Sequence, residues 1–244
     1  MPKTSAKSGI ILINGYNFST FVTAYDTSQD VGKVDVTGFS DGAQNFVPGL
    51  IQAKLTLDML WDSTLTTSVH AILSPRPNGV VTVMPEGYAL GAPTLSLPYT
   101  LGNYSPSGAI DGAIQAGTLD FASYGGTSYG VESGVALAGA TVTGTTNGAD
   151  VLDPTNAAVT AVCAGTLHVW TPTLTDTYVV KIQHATTSGG TYADLITFTA
   201  NGLTRAAERV VVASGTINKY RRISVTRTGA AADPFGFSVH FWHA

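Results

Sequence analysis

The sequence is poor in charge and in sulfur. Only 11% of its 244 residues are Asp, Glu, Lys or Arg, under half of what a soluble domain usually carries. Its surface must therefore be built largely from Ser, Thr, Asn, Gly and Ala, or be covered by neighbouring molecules. A single cysteine, Cys163, excludes an intrachain disulfide and so a disulfide-stapled scaffold. Lying in the apolar run from Val159 to Ala164, it reads as a small core residue. Twelve Lys and Arg against 16 Asp and Glu leave a net charge of -4, without the basic footprint of a non-specific nucleic-acid binder. No apolar stretch approaches the ~20 residues of a membrane span. The run Ile10 to Ile13, behind Lys3 and Lys7, is far shorter than a signal-peptide core. A soluble chain is expected, and 44% apolar residues argue against disorder.

What the sequence does contain is period-two alternation, the mark of half-buried strands. Val34 and Val36 alternate with Lys33, Asp35 and Thr37; Leu55, Leu57 and Met59 alternate with Lys54, Thr56 and Asp58. Shorter strands are expected at Val80 to Met84, Thr94 to Leu97 and Thr118 to Phe121. One helix is predicted over Thr64 to Leu73, capped by Asp62 and Ser63 and stopped by Pro75 and Pro77. After a Gly-, Ala- and Thr-rich stretch from Gly125 to Asn156, which has the composition of a connector, six more strands follow. They lie at Leu167 to Trp170, Tyr178 to His184, Leu195 to Thr199, Val210 to Ala213, Tyr220 to Arg227 and Phe235 to Trp242. Their spacing predicts an antiparallel sandwich.

The two halves differ in charge. Residues 1–140 hold five Lys or Arg against ten Asp or Glu; residues 141–244 hold seven against six. The expected class is mainly β with two domains. Residues 1–138 form a β-sandwich or barrel with one short helix, and residues 139–244 form an antiparallel β-sandwich.

Catalytic and metal-binding patterns are missing. The acidic residues Asp26, Asp30, Asp35 and Asp41 are spaced as solvated strand and loop residues. The five histidines show neither a close His-x-His nor an HExxH spacing, and there is no GxSxG elbow or P-loop. No enzyme activity, metal or cofactor is expected. A hydrolase would have to rest on these scattered Asp and His alone. Two sequons, at Asn17 and Asn103, read as coincidence.

Two segments call for partners. Residues 38–50 form a long Gly-rich loop between two strands carrying Phe39, Phe46 and Val47, and loops of that length are uncommon unless functional or disordered. In the N-terminal arm, Ile10, Ile11, Leu12 and Ile13 need a covering surface. Both read as docking elements for other subunits. A different reading uses Trp170, Tyr192 and Trp242 of the second block as glycan-binding aromatics.

The runs Phe21-Val22-Thr23-Ala24-Tyr25-Asp26-Thr27, Phe46-Val47-Pro48-Gly49-Leu50 and Leu57-Asp58-Met59-Leu60-Trp61-Asp62 lie in that order, with a strand at Lys33 between the first two. A helix and a strand ending at Met84-Pro85-Glu86-Gly87 follow. This order resembles the major tail tube proteins of long-tailed, siphovirus-like bacteriophages. The C-terminal block, with Val180-Lys181-Ile182-Gln183-His184, Tyr192-Ala193-Asp194-Leu195 and Tyr220-Arg221-Arg222-Ile223-Ser224-Val225, is similar to a domain appended to some of them.

The resemblance implies a virion protein, made in the host cytoplasm, whose copies form rings, commonly hexamers. Stacked rings make a tube that houses the tape-measure protein, conducts viral DNA, and meets tail terminator and tail-tip proteins. It implies no membrane insertion. On this view Phe39, Phe46, Val47 and Ile10 to Ile13 join subunits or rings, Asp35 and Asp58 line the lumen, and the C-terminal sandwich decorates the exterior. The alternative is a tail or capsid adhesion module that binds host glycans, with Trp170 and Tyr192 as the ligand residues.

Overall fold

The computed structural model describes residues 9–38, 42–60, 69–75, 77–107, 116–123, 132–153, 157–171, 174–199 and 205–244. In chain order its elements are β1 (Ile10–Ile13), β2 (Tyr16–Asn17), β3 (Val22–Asp35), β4 (Phe46–Leu60), α1 (Val69–Leu73), β5 (Asn78–Met84), β6 (Pro93–Ser107), β7 (Ala116–Ser123) and β8 (Glu132–Val142). They continue with β9 (Thr146–Asn147), β10 (Val151–Leu152), β11 (Val159–Val169), β12 (Thr177–Ala185), β13 (Ala193–Thr197), β14 (Ala206–Ile217), β15 (Tyr220–Thr228) and β16 (Phe235–His243). The protein is mainly β, and its sheets are antiparallel, as the alternation predicts.

The chain divides into two compact units. Unit 1 takes Met1–Thr20, Gly79–Ser96 and Glu132–Ala244; unit 2 takes Phe21–Asn78 and Leu97–Val131. The expected connector, Gly125 to Asn156, instead holds β8, and the boundary expected at 138/139 falls inside that strand. Small residues such as Ala136 and Ala138 mislead because they lack bulk, yet they pack well where a strand is covered on both faces.

Unit 1 is a sandwich. One layer orders β14-β11-β16-β8 and continues through the start of β6, β5, β1 and β2; the other orders β10-β15-β12-β13, with β9 also on β15. Phe235, Phe237, Val239 and Phe241 alternate along β16 and meet Tyr178, Val180, Ile182, Ile223 and Val225 of the opposing layer in one buried cluster. Tyr178 stacks on Phe235, with ring centroids 4.4 Å apart. Cys163 lies in the same cluster, fully buried, and burial pushes its thiol up to about 11.

The other face of this layer is also buried, but it is polar. Thr82 Oγ1 lies 3.0 Å from Ser96 Oγ and 2.8 Å from His168 Nε2, while the Gly15 amide donates to His168 Nδ1 at 3.3 Å. His240 Nε2 sits 3.1 Å from Ser238 Oγ. Burial holds His240 at about 3; burial first, and then the cost of protonating two imidazoles side by side, holds His168 well below the usual imidazole range. Both rings are therefore neutral near neutral pH.

Unit 2 orders its strands β6-β7-β4-β3. Leu55, Leu57 and Met59 are buried, as their alternation predicts, together with Tyr99, Leu101, Val69 and Leu73. The helix is described only from Val69 to Leu73; its predicted cap and first turn, 62–68, lie outside the described residues.

Candidate functional site

The feature that asks for a partner is a hairpin ribbon in unit 2. β3 is 14 residues long, far above the usual 5–6 of a strand, and among the described residues it pairs only with β4. From Val22↔Met59 the register runs to Val34↔Val47 and Asp35↔Phe46. β7 covers the far edge of β4 only over Lys54–Leu60. Beyond Lys54, β3 and β4 therefore form a two-stranded ribbon among the described residues. Such a ribbon alone is marginal in water.

The expected loop is thus shorter than the sequence implies. Phe46 and Val47 belong to β4 and are not on a loop tip. Pro48 stands opposite Lys33 where β4 has one neighbour among the described residues, and there a residue without an amide hydrogen is tolerated. The turn is closed by polar groups. Val36 N donates to Asn45 O at 2.9 Å, Asn45 N to Thr37 Oγ1 at 2.9 Å, and Thr37 N to Asp35 Oδ1 at 2.9 Å. The hydrogen bonds from the Thr37 hydroxyl and amide lower the Asp35 pKa. Phe39 lies outside the described residues.

Both faces of the ribbon carry exposed apolar side chains, with Lys33 and Asp35 beside Phe46 on one of them. Val34 and Val47, on one face, are 56% and 48% exposed, and Phe46, on the other, is 51% exposed. Val31, Val36 and Ile51 are exposed as well. A ribbon lying on its own protein would be greasy on one side and polar on the other. Fully covering a Val or Phe side chain contributes roughly 1.5–3 kcal/mol, so several such residues in water represent a large unrealised gain. The outer edge of β3 adds a row of backbone groups without a strand beside it among the described residues, a template for pairing with another chain.

The arm behaves differently, and here the expectation is corrected. β1 pairs with β5 and β2, and Ile11, Leu12 and Ile13 are at most 6% exposed. Their covering surface is their own unit, which removes Ile11 to Ile13 from the docking candidates; Ile10, half-buried, pairs with Met84. Asn14 and Gly15, at φ 49° and 82°, supply the two left-handed residues of a tight hairpin turn. A Cβ on Gly15 would stand 2.4 Å from the carbonyl oxygen of Val169.

The remaining predicted residues are dispersed. Asp35 closes the ribbon turn. Asp58 is exposed near the other end of β4, roughly 40 Å away along an extended strand. Trp170 is half-buried, packs 5.3 Å from the Tyr88 ring, and lies where Gly236 leaves room for its indole. Tyr192 donates its hydroxyl to Asp150, and the Arg222 guanidinium covers its ring at 3.7 Å. Both side chains thus have intramolecular roles. No cluster of His, Cys, Asp and Glu able to hold a metal occurs among the described residues.

No protein-family model and no curated protein matches the chain. Several chains of solved structures resemble it weakly, three of them as follows. A chain from the virion of a native gene transfer agent particle is 15% identical with a TM-score of 0.40, over 50% of this chain and 95% of that one. A chain from the tail of an empty gene transfer agent particle, determined with C6 symmetry, is 16% identical with a TM-score of 0.40, over 51% and 96%. The Dit protein of phage SPP1, described as a paradigm of hub adsorption apparatus in phages infecting Gram-positive bacteria, is 11% identical with a TM-score of 0.34, over 97% and 99%. Likeness at this level carries no argument about function.

Proposed function

We propose that this chain is a structural subunit of a phage-type tail, and that its copies join through the β3 edge and the β3–β4 ribbon into the stacked rings of a tail tube. The observation that carries the proposal is a 14-residue strand with no fully buried side chain, leading into a ribbon with exposed apolar side chains on both faces. The order of motifs that resembles tail tube proteins supports it. Pairing the β3 edge with a neighbouring copy satisfies its backbone groups, and ring closure removes the edge altogether. Covering both faces of the ribbon seats it between two neighbours, as the contact between one ring and the next requires.

The finer roles belong to the same proposal. A ring of six copies surrounds a lumen that holds the tape-measure protein and then DNA. Asp35 and Asp58, both exposed, are its lumen candidates, because like charge keeps phosphates sliding. Tail terminator and tail-tip proteins close the ends. The exterior placement of the sandwich in residues 139–244 is part of this reading.

Electron microscopy and sedimentation of the purified chain test it. The native sequence should form rings or tubes with a central channel. Phe46→Asp with Val47→Asp should leave folded protein that does not stack. A chain that stays monomeric at high concentration and on a tail-tip template contradicts the proposal, as do normal tubes from the double variant.

A further inference from the structure

The turn between β1 and β2 sits on the polar side of unit 1, and one imidazole holds it there. The Gly15 amide donates to His168 Nδ1 at 3.3 Å. That nitrogen is therefore an acceptor, and the one proton of the neutral ring is on Nε2. From Nε2 it is donated to Thr82 Oγ1, 2.8 Å away, and the Thr82 hydroxyl lies 3.0 Å from Ser96 Oγ. Both nitrogens of this fully buried ring are thus committed. A second proton has one place to go, Nδ1, where it meets the Gly15 N–H head-on. Two donors facing one another leave a buried ring and a backbone amide without acceptors, which is costly.

The turn has no room to sidestep. A Cβ on Gly15 would stand 2.8 Å from the carbonyl oxygen of Ala206 and closer still to that of Val169, so the backbone beside it blocks any rotation in place. The groups around His168 offer no counter-charge to a second proton. His240 of β16 stands edge-on, with ring centroids 6.0 Å apart, and repels it when protonated. Glu132 of β8, which shares the space beside His240, is ion-paired with Arg209 of β14. β5 and β6 present the neutral Thr82 and Ser96 hydroxyls. On the turn itself, the Arg205 guanidinium lies 4.8 Å from the centre of the Tyr16 ring, a second cation on this side and a second clasp on the turn.

We propose that the Gly15–His168 contact is an acid-operated latch: a proton on His168 Nδ1 displaces the Gly15 amide and lifts the β1–β2 turn off β11 while the sandwich stays folded. The latch stands apart from the assembly reading. Burial keeps His168 neutral while the turn is closed. Once the turn lifts, the ring meets water and takes up a proton as an ordinary imidazole does, near pH 6.5. Linkage then raises the open fraction by about tenfold for each pH unit below 6.5. The closed turn is thus fully favoured above that pH and loses ground as pH falls.

Amide hydrogen exchange on the dissociated full chain, read by NMR from pH 6.5 to 4.5 and corrected for intrinsic rates, tests it. The Gly15 amide reports the latch directly. Its protection should fall about tenfold per pH unit, and at every pH it should stay below that of the slowest amides of β12. His168→Gln, which can accept from Gly15 and donate to Thr82 without titrating, should remove the slope; His240→Gln should leave it in place. Should His168→Gln not fold, the imidazole nitrogen shifts of the native chain carry the test, with the His168 proton expected on Nε2 at pH 7. The proposal is overturned if Gly15 protection does not fall with pH, or if the fall survives His168→Gln. It is equally overturned if Gly15 opens only together with β12, or if the neutral ring carries its proton on Nδ1.

Discussion

β16 and β3 look alike on paper and differ completely in the folded chain. Both are long strands that contain an apolar–polar alternation, Phe235 to Phe241 in the first, and Val34 running on to Val36 just past the end of the second. Along β16 every position from Phe235 to Phe241 is buried, because it lies between β11 and β8, with the sandwich core on one face and the polar His168–His240 layer on the other. Along β3 no side chain is fully buried, and among the described residues no strand lies on its outer edge. Alternation tells which side chains share a face. It does not tell what covers that face, or whether the cover belongs to the same molecule.

The comparison can be broken at its strong end first. Phe237→Ala should cost about 3–5 kcal/mol in denaturant unfolding, the loss expected for a large side chain deleted from a tight core. A cost under 1 kcal/mol would mean that β16 is not the centre of the packing.

Acid sharpens the same contrast. His240 has a folded pKa of about 3 against the usual 6.5, so the unfolded chain takes up the proton first. Its contribution to stability is present above pH 6.5 and is lost progressively as pH falls from there toward 3. Lowering pH from 7 to 4.5 should depress the melting temperature, and His240→Gln should flatten that slope. Asp176, Asp194 and Asp233 have lowered carboxyl pKa values, so they act below about 4, outside this window. An unchanged slope in His240→Gln would clear the histidine of this role.

Gly15→Ala tests whether the arm is built into unit 1. The left-handed turn and the close Val169 carbonyl make a cost of about 1–3 kcal/mol the expectation; a neutral result would return the arm to the list of free appendages. The smallest stability effect should come from the ribbon. Val34→Thr should change the unfolding free energy of the dissociated chain by no more than about 0.5 kcal/mol, while weakening assembly measured by sedimentation.

Much of the strand order was legible. The six C-terminal strands lie where their β-branched and aromatic alternation places them, and Leu55, Leu57 and Met59 point inward as their pattern requires. Two segments were misread for reasons of chemistry. Gly and Ala in β8 imitate a linker because they carry no bulk. Gly49 and Pro48 look like turn residues, although one of the two edges of β4 tolerates a proline. The arm contained its own answer. Asn14-Gly15 is a strong hairpin signal, and a hairpin folds Ile10 to Ile13 back into its own chain. Of the candidate site, Phe46 and Val47 could be found from their apolar character alone. Val34 and Val36 could not, because an exposed valine on a ribbon and a buried one in a sheet obey the same alternation.

The central claim is that the β3 edge and the ribbon find their cover only on other copies of the chain. Amide hydrogen exchange across Val22–Asp35, compared between dissociated and assembled protein, tests it most directly. The account predicts rapid exchange in the dissociated chain and strong protection after assembly, with Ile11 to Ile13 protected in both. Slow exchange along β3 before assembly, or undiminished exchange within an assembled particle, would contradict it.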